Sequence, residues 1–229
     1  QNWVPLAGVL GCLALTRLKP SKAVPLVVLF TLADLLLLPV SYNPTCREPF
    51  PPTPALELVA RQPGIHRTDK FRAAFYNTLT PYGCQLVTGY ESLFPARYYR
   101  VVALAQPGAP PPVRSLSLQR FEHPILDALN LKYLIAIPDA PMPGPAWREL
   151  WREDAAVFEN TAALPRARVI GRVVPTNDLE DSLAFLAGPD FDPRQVACVE
   201  GSMGPVGEGP SQVAITDYQC NKVTLEAEL

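Results

Sequence analysis

The segment Ala23–Val40, AVPLVVLFTLADLLLLPV, predicts the helix around which the rest of the chain is organised. It carries one charged residue, Asp34, and at about 1.5 Å per residue it approaches the roughly 30 Å thickness of a bilayer's hydrocarbon core. Every face of this helix would be apolar, whereas a helix on a globular surface keeps a polar face. The segment therefore predicts a membrane-spanning helix, and a buried core helix is the alternative.

A second apolar run, Trp3–Leu18, precedes this segment and indicates a first, shortened span. A signal peptide would carry basic residues before its apolar core, but Arg17, Lys19 and Lys22 follow the run instead. Short loops rich in Lys and Arg stay on the cytoplasmic side, so everything after Val40 is expected outside the cytoplasm. The chain does not open on Met, and we expect it to begin partway through a longer protein.

Composition limits the remaining possibilities. The formal net charge of −2 offers no basic field for nucleic acid. The 27 prolines are spread along the chain, which favours many turns and extended joints. The predicted fold class is membrane α-helical followed by α+β. The predicted domains are two transmembrane helices in 1–40, a Pro-rich connector in 41–54, an α+β extracytoplasmic domain in 55–210, and the beginning of a β-rich domain in 211–229.

Local signals place the elements of the α+β part. Thr53 followed by Pro54 is a typical helix opening, and LKYLIAI at 131–137 indicates a buried strand. Asn177 and Glu180 have the spacing of a capping box, which predicts a helix at 178–187. Further predicted elements are helices at 55–61, 96–104 and 121–130, strands at 167–174 and 195–200, and hairpins at 147–160 and 212–228.

Few residues suggest catalytic chemistry. Gly201–Gly204 is one residue short of a nucleophile elbow and lies in a Gly/Pro loop. His66 and His123 are the two histidines, and a capping role at a helix start is favoured for His123. Four cysteines beyond the apolar runs could form disulfides in an oxidising compartment in three possible pairings. They are Cys46, Cys84, Cys198 and Cys220.

Asp34 is the intramembrane polar candidate. An acidic residue costs about 2.5–3.5 kcal/mol at the centre of a spanning helix. Its carboxylate would therefore face the interior of a helix bundle or an aqueous cavity. The alternative is that it reaches the interface or bonds a neighbouring helix.

Six stretches, in order and spacing, resemble one family, the bacterial multispanning YfhO-type membrane proteins related to GT-C glycosyltransferases. The resemblance spans nearly the whole chain. The stretches are LADLLLLPVSYNPT (32–45), PPTPALELV (51–59), GYESLFPARYY (89–99), LDALNLKYLI (126–135), VFENTAALPRARVI (157–170) and ITDYQCNKVTLEAEL (215–229).

The resemblance implies the C-terminal part of a glycosyltransferase of the bacterial cytoplasmic membrane, with the catalytic acid upstream of this chain. The implied partners are the lipid bilayer, a polyprenyl-phosphate-linked sugar and an envelope glycopolymer acceptor. No cofactor is expected here, and a divalent metal is an option for the full-length enzyme. The alternative is a membrane-anchored, non-catalytic module for binding or assembly.

The family-like segment at 89–99 supplies the substrate-binding candidates. Tyr90, Glu91, Arg97 and Tyr98 combine aromatic and charged groups, which suit a sugar or a phosphate. The plainer interpretation is that the tyrosines are core residues and that the charges form a structural ion pair.

Overall fold

The computed structural model describes residues 19–42, 51–73, 78–89, 95–108, 116–202 and 212–228. Within the first range, residue 34 and residues 37–42 are described by their backbone alone. The chain divides into two compact units, Gln1–Pro49 and Phe50–Leu229. The predicted span at 3–18, the side chain of Asp34 and Cys46 lie outside the described residues.

The first unit contributes helix α1, Pro20–Tyr42. The prediction that this helix spans a membrane is wrong, because no helix among the described residues is both long and apolar enough to cross one. The uncharged stretch between Lys22 and Asp34 covers only about 16 Å at 1.5 Å per residue, roughly half of a hydrocarbon core. The membrane fold class, the membrane location and the extracytoplasmic placement after residue 40 depended on that span and are corrected with it.

A mixed five-stranded sheet forms the centre of the second unit, in the order β2-β1-β3-β5-β4. Strand β1 pairs in parallel with β2 and β3, whereas β5 pairs antiparallel with β3 and β4. The unit is therefore α+β with mixed pairing. The strands are β1 (Arg67–Phe71), β2 (Gln85–Leu86), β3 (Leu131–Ala136), β4 (Trp147–Arg152) and β5 (Ala156–Asn160).

Both faces of this sheet are covered, and strand β3 shows why its sequence is apolar throughout. Leu134 on β3 and Phe158 on β5 belong to the larger core, while Ile135 and Val157 belong to a second core on the opposite face. All four side chains are nearly fully buried. Helices α3 (Ala96–Ala103) and α4 (Pro124–Ala128) accompany the larger core, and α2 (Pro54–Ala60) accompanies the second.

Several local predictions are confirmed. The Thr53 side chain accepts a hydrogen bond from the amide of Leu56 and caps α2, and His123 Nδ1 accepts one from the amide of Ile125 and caps α4. The predicted hairpin at 147–160 is the β4–β5 pair.

A smaller parallel pair follows, built from β6 (Arg172–Thr176), α5 (Leu179–Ala187) and β7 (Val196–Glu200). The predicted capping box is displaced by one residue. Asp178, and not Asn177, is the N-cap and accepts a hydrogen bond from the amide of Asp181. The cap shifts because Asn177 donates instead to the side chain of Asp181.

The last described element is an antiparallel hairpin of β8 (Gln212–Gln219) and β9 (Lys222–Glu228). It forms its own two-stranded sheet and shares no backbone pairing with the five-stranded one. Its apolar side chains are half-buried or exposed, and Leu225 is 53% exposed. The hairpin therefore contacts the rest of the unit through side chains and not through backbone pairing.

Candidate functional site

A cleft of about 440 Å³ lies between the irregular segment 166–170 and one face of the β8–β9 hairpin. Its volume falls within the range of small-molecule sites, roughly 300–1,000 Å³. One wall carries Arg166, Arg168 and Ile170, and the hairpin wall is mostly apolar. The hairpin residues that line it are Val213, Ile215, Tyr218, Val223 and Leu225.

A β-bulge decides which residues of β8 face this cleft. Ile215 pairs with Leu225 and Tyr218 pairs with Val223, but the register shifts between Ile215 and Asp217, so that Thr216 is an extra residue. A bulge re-aims the side chains that follow it. In regular pairing Asp217 would share a face with Ile215, whereas here Tyr218 does so.

Tyr218 connects the hairpin to the body of the unit. Its hydroxyl accepts a hydrogen bond of 2.9 Å from Arg166 Nη2 and donates one of 3.1 Å to Gln85 Oε1. The guanidinium of Arg166 also lies 5.9 Å from the centre of the Tyr218 ring, within cation–π range. Gln85 is the direct neighbour of Arg67 across the β1–β2 pair. Arg166 and the Tyr218 hydroxyl therefore meet in the lining of the cleft, while Arg67 does not line it but is close enough to be influenced by the charge of Arg166.

The loop that leads to Arg166 is anchored to the sheet by a network of buried polar groups. Asn160 is almost fully buried and donates to Asp127 Oδ1 at 2.7 Å and to the Leu131 carbonyl at 3.1 Å. Asn130 donates to the carbonyl of Leu164 at 2.7 Å, and the amide of Leu164 donates to the Asp127 carbonyl. The donors of both asparagines are paired in this way, which restricts the loop to one arrangement, while the buried Oδ1 of Asn130 has no partner among the described residues. The segment that begins at Arg166 is thus positioned by the sheet.

Asn130 is part of that network for a conformational reason as well. Its φ of 60° lies in the left-handed region, which asparagine tolerates better than most residues. The turn it makes connects α4, which ends at Ala128, to β3, so the helix predicted at 121–130 is shorter at both ends.

The electrostatics of the site reflect crowded positive charge. Burial lowers the pKa of Arg67; the nearby Tyr98 opposes this shift, and the positive charge of Arg166 adds to it. Burial by itself would raise the pKa of Tyr218, but the hydrogen bond and charge of Arg166 outweigh it, so that the pKa of Tyr218 is lowered. Among the described residues, neither Arg67 nor Arg166 has a carboxylate within 4.0 Å.

Of the residues singled out from the sequence, none lines the cleft among the described residues, although Tyr98 is close enough to Arg67 and Arg166 to interact with their charges. Tyr90 and Glu91 lie outside the described residues, as does the Asp34 side chain. Arg97 is on the exposed first turn of α3, where it makes two hydrogen bonds, of 2.8 and 3.0 Å, to the carboxylate of Glu200 on β7. Tyr98 is half-buried and donates to the Val87 carbonyl at 2.6 Å. The structure does not place Arg97 and Tyr98 in the lining of the cleft.

Cysteine and histidine supply no further centre in the described part of the chain. Cys84, Cys198 and Cys220 are free thiols there. Cys84 and His66 line one small hollow of about 160 Å³, where burial raises the pKa of the thiol and lowers that of the imidazole. No group of three or more His, Cys, Asp or Glu side chains among the described residues could hold a metal ion.

Comparisons with protein-family models, curated proteins and solved structures gave no match. The resemblance to YfhO-type proteins therefore stays a prediction. So do the implied glycosyltransferase activity, the divalent metal of the full-length enzyme and the sugar and glycopolymer partners.

Neither Arg166 nor Tyr218 is among the site residues that the sequence predicts. Arg166 and Arg168 alternate with small or apolar residues in PRARVI, a pattern that predicts a strand. The usable signal was the presence of two arginines in that stretch with no acidic residue between Glu159 and Asp178. This signal does not predict that the β8–β9 hairpin forms the other wall, since nothing in the sequence shows that Tyr218 packs against this stretch.

Proposed function

We propose that the unit from Phe50 to Leu229 is a ligand-binding module whose site is the cleft between segment 166–170 and the β8–β9 hairpin. The observation that carries this proposal is the composition of the cleft. One wall is apolar and the other presents arginine side chains, within a volume typical of small-molecule sites. A module of this kind is the non-catalytic alternative drawn from the sequence, without the membrane anchor.

The position of the cleft supports binding. The hairpin leaves Val223 50% exposed and Leu225 53% exposed, and both side chains face the cleft. Each apolar side chain removed from water by a ligand contributes about 25 cal/mol per Å² of buried area. The loop opposite is fixed by the Asn160 network, so that one wall is preorganised before a ligand arrives.

The test is a titration of the full 229-residue chain with N-phenyl-1-naphthylamine, a neutral dye that fluoresces in apolar surroundings. We expect saturable binding at one site, and a loss of affinity of about 5-fold or more in Leu225→Asn, because that change removes apolar contact area. The matched control is Leu29→Asn, at an exposed leucine on α1. Equal loss in both variants, or binding that does not saturate, would show that the cleft is not the site.

A further inference from the structure

The proposed binding function leaves open which class of ligand the cleft binds. The charged side chains around the cleft indicate that class. Five arginines elsewhere on the unit have a carboxylate within 4.0 Å. They are Arg61, Arg97, Arg100, Arg148 and Arg152. Among the described residues, Arg166 and Arg168 have no such partner, and both line the cleft. Five further arginines in the described part of the chain have no carboxylate within 4.0 Å either, but none of them lines the cleft. They are Arg67, Arg72, Arg120, Arg172 and Arg194.

The guanidinium of Arg166 is held in place without being neutralised. Its Nη2 donates to the uncharged hydroxyl of Tyr218, and its central carbon lies 5.9 Å from the centre of the Tyr218 ring. Arg168 donates through Nε to the carbonyl of Pro193 at 3.3 Å, which also leaves its charge unbalanced. Arg67 is anchored by its Nη1 to the carbonyl of Leu129 at 3.2 Å. All three are oriented by neutral acceptors.

A half-buried set of cations without a counter-ion is a poor arrangement unless an anion completes it, because charge removed from water must be paired. A guanidinium edge offers two parallel N–H donors that match the two oxygens of a carboxylate. The neighbouring wall of Ile215, Val223 and Leu225 offers no hydrogen bond and suits hydrocarbon.

From this juxtaposition we infer that the cleft binds an organic carboxylate with an apolar body, its carboxylate against Arg166 and its hydrocarbon against the hairpin. This inference rests on the proposed binding function and adds the chemical class of the ligand. Tyr218 is a positioning residue, since it holds the guanidinium and the hairpin together through one hydroxyl.

The experiment measures how well octanoate and the neutral 1-octanol displace N-phenyl-1-naphthylamine from the full-length chain. We expect octanoate to compete at about 10-fold lower concentration than 1-octanol, the effect of one charge-assisted contact. Raising the salt concentration to 1 M should reduce that advantage, because exposed charges are screened at that ionic strength.

Variants assign the effect to the arginine. Arg166→Gln should abolish the advantage of octanoate over 1-octanol, a ratio that does not depend on how strongly the variant binds the dye, and saturable dye binding by the variant shows that it is folded. Arg166→Lys should keep part of it, since the charge remains but the planar fork is lost. The control Arg120→Gln removes one exposed charge outside the cleft and should keep all of it.

Each failure has its own meaning. If octanoate and 1-octanol compete equally in the unchanged chain, or octyl phosphate outcompetes octanoate, the assignment of a carboxylate ligand is wrong while the binding function stands. If the dye itself does not bind saturably, the proposed function is wrong. An advantage of octanoate that survives in Arg166→Gln also overturns the assignment.

Discussion

The five-stranded sheet and the β8–β9 hairpin are built by opposite strategies. Strand β3 has a neighbouring strand on each side, and both of its faces are covered. Its residues Leu131, Leu134 and Ala136 are all 0% exposed. The hairpin pairs only with itself, and its apolar residues Val223 and Leu225 remain half in water. The apolar surface of the sheet is buried by folding, whereas part of the apolar surface of the hairpin stays exposed and, in the proposed function, contacts a ligand.

The largest expected effect tests this contrast with two truncations. Phe158→Ala, in the fully buried centre of the sheet, should lower the free energy of unfolding by about 3–5 kcal/mol, the usual range for a buried phenylalanine. Leu225→Ala, in the hairpin, should lower it by less than about 1 kcal/mol. Urea denaturation followed by tryptophan fluorescence measures both. Similar losses in the two variants would mean that the hairpin belongs to the folding core.

The next effect concerns a buried carboxylate in the sheet. Burial raises the pKa of Asp69 to about 6, although the amide of Lys70 and the amide and hydroxyl of Thr88 donate to it and oppose the shift. Between pH 4 and 6 the folded state therefore holds a proton that the unfolded chain has released. Stability attributable to Asp69 is complete below pH 4 and is lost as the pH rises through 6, by up to about 3 kcal/mol.

The measurement is the free energy of unfolding of the unchanged chain and of Asp69→Asn between pH 4 and 7. The variant cannot titrate at this position, so its curve should lack the fall that the unchanged chain shows. Asp190→Asn, at an exposed carboxylate, is the control and should retain it. Parallel curves for all three proteins would rule Asp69 out as the cause.

A smaller effect is expected where the sheet supports the cleft. Asn160→Ala removes the donors to Asp127 and to the carbonyl of Leu131 and the acceptor for the amide of Ala162 at 2.9 Å. We expect a loss of about 2 kcal/mol, because buried partners are left unsatisfied. Dye affinity should fall as well, since the loop leading to Arg166 loses its support. Gln119→Ala, at an exposed side chain outside the network and the cleft, should change neither quantity.

The smallest effect is expected at the surface ion pair between α3 and β7. The side chains of Arg97 and Glu200 are 68% and 32% exposed, and such pairs contribute about 0–1 kcal/mol. A double-mutant cycle of Arg97→Gln and Glu200→Gln should give a coupling energy in that range at low salt and close to zero at 1 M salt. Coupling that salt does not reduce would show that the pair is more shielded from solvent than its exposure indicates.

The parts of the fold that could be predicted are those whose signals are local. The run LKYLIAI predicts β3 because a central strand covered on both faces is apolar throughout. Thr53 and His123 predict helix starts because a side chain caps the backbone within three residues. These signals need no knowledge of distant partners.

The parts that could not be predicted depend on distant partners. ARVIGRVV at 167–174 has the pattern of a strand, but its partner β7 offers residues only opposite 172–176, so the earlier residues form the wall of the cleft. The helix at Ala23–Val40 was helical as predicted, while its role as a span rested on counting the stretch across Asp34 as continuous. The site itself joins Arg166, Gln85 and Tyr218, which are far apart in the chain.

The extra residue at Thr216 gives the hairpin a consequence that its composition does not suggest. If β8 paired one residue out of phase, the carboxylate of Asp217 would replace the phenol of Tyr218 beside Arg166. The cleft would then neutralise itself and have no use for an external acid. The sign of the charge that the cleft can accept is therefore encoded in the alignment of two strands, and a single inserted or deleted residue could switch it off without touching any arginine.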